Sequence, residues 1–177
     1  PIAGASATAT KTGEAEPKPE YPATLYMVGD ALNMTDSDSD GTPDGWQWDL
    51  TDVPMIPVNS NPHLFWKIVW LETGGGFKFA PAREWTGDFG VTGTATNGVY
   101  SKGSDNVSAP ATSGYYMVVV NLEAGSETIE VADPTIYGIG DAFGSWDAGG
   151  NLFTVDNANS VITSPAFAAD GDLRMYT

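Results

Sequence analysis

The chain has 177 residues and a formal net charge of -16, from 23 acidic against 7 basic residues. This excess of carboxylates excludes nucleic acid and anionic membrane surfaces as partners, because too few cations are available to neutralise phosphate. The absence of cysteine excludes disulfides, thiolate metal sites and cysteine nucleophiles, while a hydrophobic fraction of 41% is sufficient for a folded core.

Residues 1–21 are rich in Ala, Thr, Pro, Gly and Glu and show no apolar periodicity, which is typical of an extended linker. The sequence starts at Pro1 rather than at a methionine, and it contains no apolar run of the length that a membrane helix needs. We therefore expect a processed chain or a fragment whose targeting signal lies outside it.

From residue 24 onward the sequence predicts short β-strands separated by turns that contain Gly, Pro, Asn and Asp. No long window has a convincing helical period, so the expected fold class is all-β, an immunoglobulin-like β-sandwich. Two hairpins are predicted. One joins residues 64–71 to 77–79 through a Gly-rich turn, and the other joins 115–122 to 128–131.

The predicted strand at 64–71 holds two of the six tryptophans, and its side chains alternate between two faces. We assign the face that carries Trp66 and Trp70 to the core. In the strand Phe77-Lys78-Phe79, the two phenylalanines are expected to face the core, which turns Lys78 outward.

The chain also repeats itself. Residues 25–31 are echoed by 136–142, and residues 76–79 by 172–175, with a basic side chain between two apolar ones in both copies. The expected organisation is a linker at 1–21, a complete β-sandwich module at 22–133, and the first part of a second, similar module at 134–177. In that second module, Trp146 is the counterpart of Trp46 or Trp48.

Residues 36–44, DSDSDGTPD, have the composition of a cation-binding loop. Carboxylates at alternate positions before a glycine can converge on one point, and Ca²⁺ prefers about six to eight oxygen ligands. The loop matches the first half of an EF-hand, but Gln47 stands at its twelfth position and no helices flank it. Its spacing is closer to that of the calcium loops of thrombospondin type 3 repeats. A structural Ca²⁺ is predicted, and the alternative is a solvated acidic turn. The predicted ligands are Asp36, Asp38, Asp40, the backbone carbonyl of Thr42, and Asp44.

Three tryptophans, Trp46, Trp48 and Trp85, lie in Gly- and Asp-rich loops, where an exposed ring needs an explanation. The C–H face of a sugar packs on an aromatic ring while its hydroxyls need polar partners, so this pattern favours a carbohydrate site. Only one of Trp46 and Trp48 is expected to be presented, because alternate residues share a face only in a regular strand. The alternative is that the rings cap the sandwich and that Lys78 is a solvated strand residue.

Taken in order, these motifs resemble the tandem modules of the SusE/SusF family over residues 24–177. The shared features are Tyr-x-x-Gly-Asp-Ala at the start of a module, a Gly-Trp shortly after it, and Gly-Phe-Lys-Phe followed by a Trp. A Gly-Tyr-Tyr-x-Val-x-Val-x-Leu hairpin then leads into the next Tyr-x-x-Gly-Asp-Ala. Proteins of this family are surface-exposed outer-membrane lipoproteins that bind α-glucan without cleaving it. The acidic insert at 36–44 departs from the family pattern, which puts the glucan specificity in question.

The resemblance implies a non-catalytic module for starch-like polysaccharide on the outer face of the cell outer membrane. Other outer-membrane glycan-uptake components would be its partners, and a lipid anchor outside this sequence its only attachment to the membrane. It also implies the residues of two sites. The first comprises Trp46, Trp48, Lys78, Arg83 and Trp85, and the second comprises Trp146 and Arg174.

Two other functions stay open on the sequence. One is a calcium-stabilised surface or adhesion module with a protein ligand, whose aromatic residues form core. The other is an accessory module of a glycoside hydrolase. Catalysis within the chain has little support, because acidic pairs arise by chance among 23 acids. The single histidine, His63, follows a proline and is expected to be a turn residue rather than a ligand.

Overall fold

The regular structure of the described residues is β-strand apart from two 3-10 helices of three residues each. The structure, a computed structural model, describes residues 20–51, 53–147 and 149–177, so most of the predicted linker lies outside the described residues. No helix in these ranges is long and apolar enough to cross a membrane. The all-β fold class predicted from the turn-rich sequence is confirmed.

Fourteen strands are described. They are β1 (Tyr26–Val28), β2 (Val53–Pro54), β3 (Ile56–Pro57), β4 (Leu64–Leu71), β5 (Gly76–Ala80), β6 (Gly90–Thr96), β7 (Val99–Gly103), β8 (Val107–Ser108), β9 (Gly114–Asn121), β10 (Thr128–Ala132), β11 (Tyr137–Ile139), β12 (Thr154–Asp156), β13 (Val161–Thr163) and β14 (Arg174–Tyr176). The 3-10 helices span Asp44–Trp46 and Asp141–Phe143.

Two antiparallel sheets form the sandwich. One has four strands in the order β2-β1-β5-β8, and the other has six in the order β3-β4-β9-β10-β7-β6. The predicted hairpin of β9 and β10 is present. Apolar side chains of both sheets fill the space between them, and the largest of those without exposed surface are Phe65, Phe77 and Phe79.

The core face of β4 is the opposite of the one predicted. Phe65 and Leu71 are buried in the core, whereas Trp66 and Trp70 point the other way and are half-buried. The assignment of these two tryptophans to the core is wrong, because both faces of β4 are apolar and periodicity alone cannot choose between them.

The turn after β4 is present, but it does not make a hairpin. Because β4 belongs to the six-stranded sheet and β5 to the four-stranded one, the chain crosses between the sheets here. The crossing is tight, since a Cβ at Gly75 would collide with the backbone of Ala31. Sequence spacing shows where a chain turns but not which strand it pairs with next, and the hairpin prediction is therefore wrong at this point.

The strand register of the first sheet recurs near the end of the chain. In the β1–β5 pair Val28 lies opposite Lys78, and in the β11–β14 pair Ile139 lies opposite Arg174. The repeat seen in the sequence is thus a repeat of strand pairing, with a basic side chain at the same register position in both pairs.

Residues 134–177 contact the outer face of β4 and β9. The Oδ1 of Asn157 accepts a hydrogen bond from the amide of Tyr115 at 2.9 Å, and the Tyr115 hydroxyl donates to the carbonyl of Ser160 at 3.2 Å. A cavity of about 710 Å³ separates Trp66 and Ile68 from the apolar side chains of this second part. The outer face of β4 and β9 is therefore partly covered by this second part of the chain.

The repeated register supplies a matched pair of substitutions. Phe77 is fully buried, whereas its register equivalent Leu173 is 44% exposed. We expect Phe77→Ala to lower the free energy of unfolding by about 3–5 kcal/mol, because it removes core contacts and leaves a cavity. The control, Leu173→Ala, should cost less than about 1 kcal/mol. Urea unfolding measures both, and equal losses for the two variants would contradict this account of the core.

Candidate functional site

Two loops meet over the outer face of the β1–β5 pair. Met27 and Phe79 point into the core, so their neighbours Val28 and Ala80 point outward, yet neither has exposed surface. The loops that follow β1 and β5 therefore cover this face. Each loop brings tryptophan to it.

A glycine contact fixes the first loop to the sheet. The amide of Gly29 donates to the carbonyl of Gly45 at 2.6 Å, and the amide of Gly45 donates to the carbonyl of Asn33 at 3.0 Å. A Cβ at Gly45 would collide with the carbonyl of Gly29, and Gly29 itself has a φ of 152°, a conformation that favours glycine. Trp46 follows directly and ends the short 3-10 helix.

Asp44 secures the same loop from inside. Its buried carboxylate accepts the Ser37 amide at 3.0 Å and the Thr35 hydroxyl at 2.9 Å. The hydrogen bond from the Ser37 amide lowers the pKa of Asp44 below its ordinary value, and the Thr35 hydroxyl adds to this effect. Burial acts in the opposite direction but is outweighed. The Asp44 carbonyl accepts the Thr51 hydroxyl at 2.7 Å. Asp44 thus organises the loop.

Three carboxylates converge on the exposed side of the loop. Asp36, Asp38 and Asp40 each offer an oxygen, and these oxygens lie within 4.8 Å of one another. Such hard oxygen donors fit Ca²⁺. The other two predicted ligands are engaged elsewhere, because Asp44 faces Thr35 and Ser37, and the carbonyl of Thr42 accepts the Gln47 side chain at 3.3 Å.

The tryptophans of the two loops form one aromatic surface. The ring of Trp85 lies 6.2 Å from that of Trp46 at 30° and 5.3 Å from that of Trp48 at 59°. Trp85 is 49% exposed, whereas Trp46 and Trp48 are half-buried. We call these three rings the tryptophan surface; its planes are inclined to one another rather than parallel.

Two predicted basic residues lie on the sheet side of the loops. Lys78 faces outward as predicted, and its Nζ is 2.6 Å from Asp88. The guanidinium of Arg83 lies 5.3 Å from the ring centroid of Tyr26. No pattern in the sequence indicates Asp88, which becomes a partner of Lys78 only through the path of the second loop.

The second predicted site is built in the same way. The amide of Gly140 donates to Ser145 at 2.7 Å, as Gly29 does to Gly45, so Trp146 corresponds to Trp46 and not to Trp48. Trp146 is 47% exposed, and its Nε1 donates to Asp141 at 2.8 Å. The guanidinium of Arg174 lies 5.3 Å from its ring centroid. The structure therefore brings the two predicted residues together.

Comparison with known proteins gives consistent matches. Residues 24–130 match the family model described as SusF/SusE starch specific CBMs. The chain is 32% identical over 165 residues to outer membrane protein SusF of Bacteroides thetaiotaomicron, an alignment that covers 87% of this chain and 32% of that protein. The crystal structure of SusF from Bacteroides thetaiotaomicron matches with a TM-score of 0.65 and 28% identity, over 88% of this chain and 35% of that one. The chain thus spans about a third of the length of this relative.

Proposed function

Because this chain belongs to the SusF/SusE family of starch-specific carbohydrate-binding modules, we propose that it captures starch-like α-glucan without cleaving it. The tryptophan surface is the observation that carries the proposal. Its most exposed ring, Trp85, lies on a loop and fills no space in the core. Large exposed rings of this kind mark a binding surface.

The inclined rings suit a glucan that coils. The apolar faces of successive sugars along a helical α-glucan turn with the chain, so the rings of Trp46 and Trp85, inclined at 30°, can follow them better than a flat platform. The ion pair of Lys78 and Asp88, formed between β5 and the second loop, would supply polar contacts. Lys78 keeps donors beyond the one that Asp88 takes, and the carboxylate keeps acceptor sites, so the pair can bind adjacent sugar hydroxyls.

We assign a second glucan site to Trp146 and Arg174, in the proposed second module at 134–177. The guanidinium over the ring and the half-exposed indole offer the same chemistry as the first site. Two sites on one chain raise the affinity for a long polysaccharide wherever both can engage it at once.

The cellular role follows from the relative. SusF is named an outer membrane protein, and we propose that this chain likewise acts at the surface of the cell outer membrane. There it would hold polysaccharide for other glycan-uptake components, with a lipid anchor outside this sequence as its attachment. An adhesion function with a protein ligand is less well supported, because it requires the loop tryptophans to be core residues.

We also propose that Asp36, Asp38 and Asp40 hold a structural Ca²⁺. Their oxygens are already close together, and like charges at that distance repel one another. An ion would remove this repulsion and stiffen the loop that leads into Trp46.

Trp85→Ala tests the site. Loss of one stacking ring should weaken glucan binding roughly ten- to hundredfold, on the scale of about 1–3 kcal/mol measured for bases stacked on aromatic rings. The unfolding free energy should change little, since the ring fills no core volume. Phe167→Ala, which truncates another exposed ring outside the tryptophan surface, is the control. Calorimetry with maltoheptaose measures affinity. Unfolding of Trp85→Ala would place the ring in the core, and an affinity equal to that of the wild type would place the site elsewhere.

The absence of cleavage is tested directly. Because no pair of carboxylates stands out from the acidic background, prolonged incubation with maltooligosaccharides should leave them intact. Product chromatography is the measurement, and sustained turnover by the pure protein would refute a purely binding role.

The ion is tested by thermal unfolding. Added Ca²⁺ should raise the melting temperature, because an ion that binds only the folded state stabilises it by mass action. The free energy of unfolding should rise by about 2.7 kcal/mol at a free Ca²⁺ concentration 100 times the dissociation constant. Asp38→Asn should abolish the effect, while Asp49→Asn, an exposed acid outside the cluster, should preserve it. A melting temperature that is the same in Ca²⁺ and in chelator would count against the proposal.

A further inference from the structure

We propose that Trp48 is a positioning residue that holds Trp85 at its angle, and that this angle gives the site its preference for curved glucans. The inference rests on the proposed function of α-glucan binding and assigns distinct roles to the three rings. Trp46 and Trp85 contact the sugar, and Trp48 supports Trp85 from below.

Trp85 depends on its neighbours for its orientation. Within the loop from Pro81 to Asp88, the described residues make a single internal backbone hydrogen bond, from the Glu84 amide to the Ala82 carbonyl. Such a segment does not by itself fix a side chain. The ring contacts with Trp46 and Trp48 are therefore the interactions that set the plane of Trp85.

Trp48 is held firmly enough to act as a support. It follows the 3-10 helix, and the amides of Leu50 and Thr51 both return to the carbonyl of Gln47, at 3.1 Å and 2.9 Å. The buried bond from the Thr51 hydroxyl to the Asp44 carbonyl closes the same turn. The backbone on either side of Trp48 is thus tied down, in contrast to that around Trp85.

The burial of its indole nitrogen argues against a sugar-binding role for Trp48. Among the described residues, the Nε1 of Trp48 stands out as a buried side-chain nitrogen that has no hydrogen-bond partner. Being shielded from solvent, it cannot donate to a sugar hydroxyl at the surface. A buried donor without an acceptor is costly, so the ring is retained here for its packing rather than for its polar atom.

The second site agrees with this division of roles. The tryptophan present there corresponds to Trp46 by the shared glycine contact, and it is half exposed. The position of the presented ring is therefore common to both sites, while Trp48 belongs to the first site alone, where a second loop ring has to be supported.

The experiment compares Trp48→Ala with Trp48→Phe. β-Cyclodextrin and maltoheptaose carry the same number of glucose units, but the cyclic one cannot adapt its curvature. We expect Trp48→Ala to bind β-cyclodextrin about tenfold more weakly, equivalent to 1.4 kcal/mol, with a smaller loss for flexible maltoheptaose. Trp48→Phe keeps an aromatic support without the unpaired N–H, so it should retain the wild-type preference at equal or higher stability.

A second readout needs no ligand. In the free protein, the heteronuclear NOE of the Trp85 indole should report a rigid ring in the wild type and in Trp48→Phe, and a mobile ring in Trp48→Ala. If Trp48→Ala does not fold, Trp48→Leu replaces it. Failure of the wild type to bind either glucan would refute the proposed function, and the indole dynamics would still decide the role of Trp48. A rigid Trp85 indole in Trp48→Ala, or equal losses of affinity in the Ala and Phe variants, overturns the proposal.

Discussion

The close packing of Gly29 against its neighbours is the constraint on which the rest of the site depends. A side chain at this position would collide with the carbonyl of Gly76, and its amide is bound to the carbonyl of Gly45. One residue therefore joins the end of β1, the start of β5 and the tryptophan loop. Gly140 occupies the same place in the second part, where a Cβ would collide with Asp172 and the amide binds Ser145. Repetition of this contact is what places a tryptophan directly after the contacted carbonyl in both parts of the chain.

Beyond the Gly29 contact, polar interactions assemble the rest of the site and leave the tryptophan surface facing solvent. Asp44 draws the acidic loop together with its carboxylate, so Asp36, Asp38 and Asp40 are turned to the outside. Lys78 reaches the outer face because its neighbours in β5 are core phenylalanines, and Asp88 holds it there. The acidic loop, the sheet and the second loop thus meet around the tryptophan surface, and loops held by a sheet are where binding residues are commonly placed.

The sequence could predict those features of the structure whose cause lies within a single strand or loop. The outward direction of Lys78 follows from alternation along one strand, and the exposure of Trp85 follows from its Gly- and Asp-rich loop. The core face of β4 could not be predicted, because Trp66 faces a cavity lined by residues far away in sequence and Trp70 packs against Tyr115 of the neighbouring strand. The predicted hairpin before β5 is wrong because packing between distant parts of the chain decides which sheet a strand joins. Asp44 belonged by spacing to the acidic cluster, and only the fold shows that its carboxylate faces Thr35 and Ser37.

The most direct test of the central claim follows the indole N–H signals of all six tryptophans in a ¹⁵N-labelled sample during titration with maltoheptaose. The account predicts shifts at Trp85, Trp46 and Trp146, which lie at the two proposed sites. The Trp70 signal should stay unchanged, because its Nε1 is bound to Glu72 at 2.8 Å on the other sheet. Shifts confined to Trp66 and Trp70, or no shift at any indole, would contradict the claim that the tryptophan surface binds glucan.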